Sequence, residues 1–227
     1  MRSTQSLALL AALTTAFLSC GDLAMVELEV STTTKTITID VGSAVNAALS
    51  QLVSQGVIPS TDPSTWRDEI SIEFTEREPL EMVPPPKLLD LEQAEKGGSE
   101  FSKYRDNVST IVIDSLGFSI RENTLNYDLG PLTLLAGDEE DTTEQLAEIA
   151  TAEDGVEAGH LSPGEGYEKV PLNQNQKKLI GSFLDLMKFK VGLKGRWSGR
   201  LDNTSLKPTG LIRVKIRVEA TATASPL

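Results

Sequence analysis

The residues able to do chemistry in this 227-residue chain are few and widely spaced. His160 is the lone histidine, so no second imidazole is available for a zinc site. A Ser-His-Asp triad would have to use His160, and no Gly-x-Ser-x-Gly elbow supplies its nucleophile. Neither the Gly-x-x-x-x-Gly-Lys-Ser/Thr phosphate loop nor a Gly-x-Gly-x-x-Gly turn is present. The run Asp138, Glu139, Glu140 and Asp141 offers hard oxygen ligands of the kind calcium prefers. It lacks the alternating spacing and central glycine of an EF-hand loop, so a solvated acidic loop is the stronger reading. Trp66 and Trp197 are candidate ring platforms for sugars, with aromatics at the rim of the core as the plainer expectation. Chemistry of these kinds is not what the sequence advertises, and no cofactor is expected.

Cys20 is the chain's single cysteine. In an exported protein it has no internal disulfide partner, so its placement calls for another explanation. The residues before it supply one. Arg2 and the N-terminal amine precede an apolar run from Leu7 to Leu18, which Ser19-Cys20-Gly21-Asp22 ends abruptly. That run is too short for a bilayer span of about 20 residues and suits the apolar region of a secretory signal. The stretch Leu13 to Cys20 resembles the bacterial lipobox, with Ser19 at the small position and Phe17 and Leu18 bulkier than the usual pattern. The resemblance implies a signal peptide over residues 1–19, acylation of Cys20 and anchoring in a bacterial membrane. Gly21, where Asp would favour the inner membrane, implies the outer one. The alternative is cleavage after Gly21 or Ala24 and secretion.

Charge is distributed unevenly. Residues 20–176 carry 9 basic and 30 acidic side chains, whereas residues 177–218 carry 11 basic and 2 acidic ones. An acidic chain of this kind is not a nucleic-acid binder.

The elements that must position these residues are mostly strands. Period-2 alternation runs through Val26–Val30, Ile37–Val41, Ile70–Phe74, Leu116–Ile120, Met187–Leu193 and Ile212–Val218. Val108–Ile113 is strongly β-branched, and Leu132 and Leu134 follow a Gly130-Pro131 turn. About eight strands, most with one polar face, predict a mainly β fold, an antiparallel sandwich of immunoglobulin-like or jelly-roll-like type, over residues 20–227. Short helices are predicted from Ser43 to Gly56, Thr143 to Ala150 and Asn173 to Leu184. Residues 79–87, 94–99 and the acidic stretch 137–166 are predicted as loops.

Two strands have basic polar faces: Lys188, Lys190 and Lys194 on one, Arg213, Lys215 and Arg217 on the other. Like charges directly opposite each other destabilise a sheet. The strand bearing Glu27 and Glu29 is therefore expected beside a basic strand. The competing expectation lays the basic face on anionic headgroups near the anchor.

The strings Ile111-Val112-Ile113-Asp114-Ser115-Leu116, Glu122-Asn123-Thr124-Leu125-Asn126 and Leu129-Gly130-Pro131-Leu132, with Gly210-Leu211-Ile212-Arg213-Val214, resemble uncharacterised β-rich envelope lipoproteins of the myxobacterial type. The resemblance implies a β-sandwich lipoprotein and brings no catalytic residue. The function expected is non-enzymatic, by binding or structure, with the membrane as one partner through Cys20 and a protein or glycan partner left open. Alternatives are an apolar-ligand or lipid module with a cavity near Phe118, Phe189 and Leu134, a hydrolase using paired acids, and an adhesin using Trp66 and Trp197.

Overall fold

A computed structural model describes residues 25–67, 69–164, 166–184 and 188–226. In chain order the strands and helices are β1 (Val26–Thr33), β2 (Ile37–Asp40), α1 (Val41–Ser54), β3 (Ser71–Phe74), β4 (Leu80–Met82), β5 (Lys87–Asp90), α2 (Gly98–Tyr104), β6 (Val108–Asn123), β7 (Leu132–Asp138), β8 (Ala147–Ala152), β9 (Glu168–Lys169), α3 (Gln174–Leu184), β10 (Lys188–Trp197), β11 (Gly199–Asp202) and β12 (Leu211–Ala224). The protein is an antiparallel β-sandwich. One sheet has the order β1-β12-β6-β9, with β2 beside the start of β12; the other has β4-β10-β7-β8, with β5 also on β10. β11 and β3 form a separate ribbon.

Alternation explains the layers. On β12 the even-numbered residues Ile212, Val214, Ile216, Val218, Ala220 and Ala222 are buried, and the odd-numbered ones face outward. Phe189, Val191 and Leu193 of β10 meet Leu132, Leu134 and Ala136 of β7 in one shared core. Each fully buried aliphatic side chain contributes about 1.5–3 kcal/mol, so these alternating positions are the main source of cohesion. α1 places Val41, Val45 and Leu49 in the same core.

Each sheet has an interrupted edge. β1 and β2 follow β12 one after the other, separated by Thr34-Lys35-Thr36. β4 and β5 do the same on β10, separated by Val83 and Pro84-Pro85-Pro86. Proline lacks the amide proton a ladder needs, so the run can sit at an edge only as a break.

Several expectations are corrected. Val108–Ile113 and Leu116–Ile120 belong to one 16-residue strand, β6, which follows β12 through three register shifts. The helix expected over Thr143–Ala150 is a single 3-10 turn, Thr143–Gln145, followed by β8. Thr142 and Gln145 form a capping box, so the helix-start signal is real. The free edge of β7 then takes the chain as a strand, and ladder bonds outweigh weak helix propensity. The stretch 137–166 is thus not one loop. α1 starts two residues before Ser43 and is capped by Asp40, whose carboxylate accepts from both Ser43 N and Ser43 Oγ at 2.8 Å. Residues 94–99 contain the start of α2, entered through Gly97 at φ +76°.

The strand bearing Glu27 and Glu29 does lie beside a basic strand, β12. Its register, however, sets Glu27 against Thr223 and Glu29 against Thr221. β10 and β12 are in different sheets, which removes the anticipated repulsion. Their cations find acids elsewhere: Lys194 pairs with Glu148 and Glu81, Arg196 with Glu81, Arg213 with Glu122 and Arg217 with Glu95.

Candidate functional site

Cys20 and the signal stretch 1–19 lie outside the described residues. The other sequence candidates are spread over the molecule. Trp66 is 4% exposed, and its Nε1 donates to Ser60 O at 2.8 Å. Trp197 is 2% exposed and packs on Phe74, with ring centroids 5.0 Å apart. Both are core residues, so neither offers a face on which a sugar could stack. The glycines flanking Trp197 do not mark an exposed turn. Gly199 leaves room for the indole, since a Cβ there would lie 2.7 Å from it.

The acidic run Asp138–Asp141 folds on itself. Asp141 Oδ2 accepts from Asp138 N at 2.8 Å, and Lys190 Nζ donates to Asp141 O at 2.7 Å. Among the described residues no three of His, Cys, Asp and Glu converge as a metal ion requires.

His160 has a carboxylate neighbour, Glu168 Oε1, at 3.3 Å, and the same oxygen accepts from Ser162 Oγ at 2.5 Å. The order is hydroxyl, carboxylate, imidazole. A nucleophilic triad needs the imidazole next to the hydroxyl, so this cluster cannot pass a serine proton to histidine. It fastens a loop instead: Ser162 Oγ accepts from Ile120 N at 2.9 Å, and Ser162 N donates to Ile120 O at 3.2 Å. Asn123 extends the clasp by donating through Nδ2 to Glu157 O and His160 O.

Between the sheets, the gap bounded by Phe118, Leu134, Leu116, Leu193 and Val170 amounts to about 10 Å³. That is room for one water-sized sphere, and the lining is apolar. Small-molecule pockets run from about 300 Å³ upward, so this gap is packed core and not a ligand chamber.

Sequence reasoning singles out the basic side chains of β12 but misses what assembles beside them. On the outer face of the first sheet the cross-strand rows can be read from one end to the other. Glu27 and Thr223 lie at the end where β1 begins; then come Glu29 with Thr221, and Ser31 with Glu219 and Ser115. Farther along, Arg217 lies between Thr33 and Gly117, with Lys169 on the other side of Gly117. Lys215 faces Ser119, and Arg213 lies between Glu122 and Thr38. The face is acidic at the Val26 end and basic at the other.

Tyr167 organises the basic end. The Arg217 guanidinium sits 4.2 Å from its ring centroid and that of Arg121 5.5 Å. Gly117 makes this possible, because a Cβ there would come within 3.1 Å of Tyr167 Cβ. Arg121 Nη1 also donates to Gly164 O at 2.6 Å. Arg121, Arg213 and Lys215, with Thr36 and Glu122, line an open concavity of about 490 Å³. Such an arrangement can neutralise and hydrogen-bond an anion.

No family model matches the sequence, and no curated protein is similar enough to it to count as a relative. Among solved structures, the chain is similar to the cryo-EM structure of Mud crab tombus-like virus, with a TM-score of 0.35 and 10% identity over 100% of this chain and 92% of that one. A likeness at that level carries no argument about function.

Proposed function

We propose that this chain is a non-enzymatic lipoprotein of a bacterial envelope, tethered through an acylated Cys20 and acting by binding or structural contact. The outer membrane is the destination implied by Gly21, with secretion as the alternative. The observation that supports this reading is the charge gradient on the first sheet. Six residues lead from Cys20 to Val26, a reach of about 20 Å at most. A tether there would hold the domain by the end that carries Glu27, Glu29 and Glu219. With the anchor at that end, the basic end lies about 30 Å farther along β12 from the point of attachment, beyond the roughly 10 Å over which a leaflet's charge acts. The resemblance of the stretch from Ile111 to Leu132 to β-rich envelope lipoproteins agrees with the reading.

The test is mass spectrometry of the mature protein together with membrane fractionation. The expected product begins at Cys20 and carries acyl chains, and Cys20→Ser moves the protein to the soluble fraction. An unmodified N-terminus at Asp22 overturns the anchor.

A further inference from the structure

We infer that the basic end of the first sheet is a binding site for a phosphate group, held by Arg121, Arg213 and Lys215. The concavity brings together three cations and one carboxylate, and that carboxylate, Glu122, is engaged by Arg213 Nη1 at 2.5 Å. The pairing holds the Arg213 guanidinium in place and uses up the one carboxylate in the lining, so that carboxylate does not neutralise Lys215. Arg121 is positioned too, by Gly164 O and the Tyr167 ring. Lys215 differs from its neighbours on β12. Arg213 and Arg217 each have an acid, whereas Lys215 makes no hydrogen bond or ion pair among the described residues.

Ser119 lies behind the basic end. It is the cross-strand partner of Lys215, on the same outer face, and it is fully buried. Its hydroxyl has no hydrogen-bond partner among the described residues. A buried hydroxyl without a partner is costly; it lies beneath the surface across the ladder from Lys215 and does not itself open into the concavity. Thr36, at the break between β1 and β2, supplies a hydroxyl at the rim.

The donor set favours phosphate over carboxylate. A carboxylate has two oxygens and one charge, which a single arginine fork satisfies. Two guanidinium groups, an ammonium and the Thr36 hydroxyl suit an anion with three or more acceptor oxygens and up to two charges. Free phosphate esters and lipid headgroups share that chemistry. The site depends on the sheet alone and holds whether or not Cys20 is acylated.

The experiment uses the full chain in maltoside micelles at constant ionic strength. One arm titrates inorganic phosphate by calorimetry, and the other dopes the micelles with phosphatidylglycerol. Saturable binding in at least one arm is expected, and the responding arm names the source of the phosphate. Lys215→Ala is expected to weaken binding about tenfold, the equivalent of one charge-assisted hydrogen bond. Lys215→Arg retains binding, and Lys188→Ala, on the other sheet, leaves it unchanged. Binding in neither arm overturns the proposal, as does equal affinity in wild type and Lys215→Ala.

Discussion

Thr34 and Ile216 form a closed hydrogen-bonded pair: Thr34 N donates to Ile216 O at 2.9 Å, and Ile216 N donates to Thr34 Oγ1 at 3.0 Å. Both residues are buried, and they sit where the edge passes from β1 to β2. The side chain stands in for the carbonyl that a continuous strand would have provided. Thr34→Val keeps the shape and removes the acceptor, leaving a buried amide unpaired. The expected cost is about 1–3 kcal/mol, read as a lower midpoint in urea unfolding with an unchanged slope.

Gly97 and Gly56 share a left-handed backbone, at φ +76° and +72°, but not their surroundings. A Cβ on Gly97 would run into Glu29 O, whereas one on Gly56 meets nothing within 4 Å. Gly97→Ala should therefore cost about 2–4 kcal/mol, combining backbone strain with overpacking, and Gly56→Ala only about 1–2 kcal/mol. Equal losses in thermal unfolding would contradict the contact.

Leu134 faces Leu193 across the β7-β10 ladder and sits in the shared core. Leu134→Ala is expected to lose about 2–5 kcal/mol. Because Trp66 and Trp197 are buried, native fluorescence should be blue-shifted and poorly quenched by iodide, and both properties should reverse on unfolding.

Acid stability has identifiable sources. Asp202 is held below the usual carboxylate range first by the Thr204 hydroxyl and then by the Thr204 amide; Ser64 does the same for Asp62. A depressed folded-state pKa gives stability that is present above the unfolded value, near 3.9, and lost as pH falls through the folded one. Unfolding free energy should therefore decline below about pH 4. The Asp202→Asn, Asp62→Asn double variant should show a shallower decline over that range. An identical acid limb would exclude these two carboxylates as its source.

Much of this fold is legible in alternation alone. The apolar positions from Ile212 to Val218 on β12 mark its inner face by their spacing. Its continuation to Ala224 is not legible, because Ala220, Ala222 and Ala224 have poor strand propensity and gain their place from pairing on both sides with β1 and β6. β8 is hidden for the converse reason. Leu146 and Ile149 have helical spacing, and only the open edge of β7 decides otherwise.

The basic end shows the same division. Arg213, Lys215 and Arg217 announce themselves by sequence spacing. Tyr167 and Arg121 join them through the contacts of Ser162, Glu168 and Lys169 with β6, and no local signal encodes that closure. Ser119 is equally silent, since a serine on a polar face reads as solvent-exposed until its neighbours cover it.

The three prolines between β4 and β5 also matter to a chain that meets copies of itself. A sheet rim with a continuous row of unsatisfied amides and carbonyls is a template for a second chain. On β4 and β5 that row is cut into pieces of three and four residues, and the proline nitrogens between them can donate nothing. A guest strand would find too short a run to zip onto before reaching a gap. The break that shortens the ladder thus also makes this rim a poor template for a second chain.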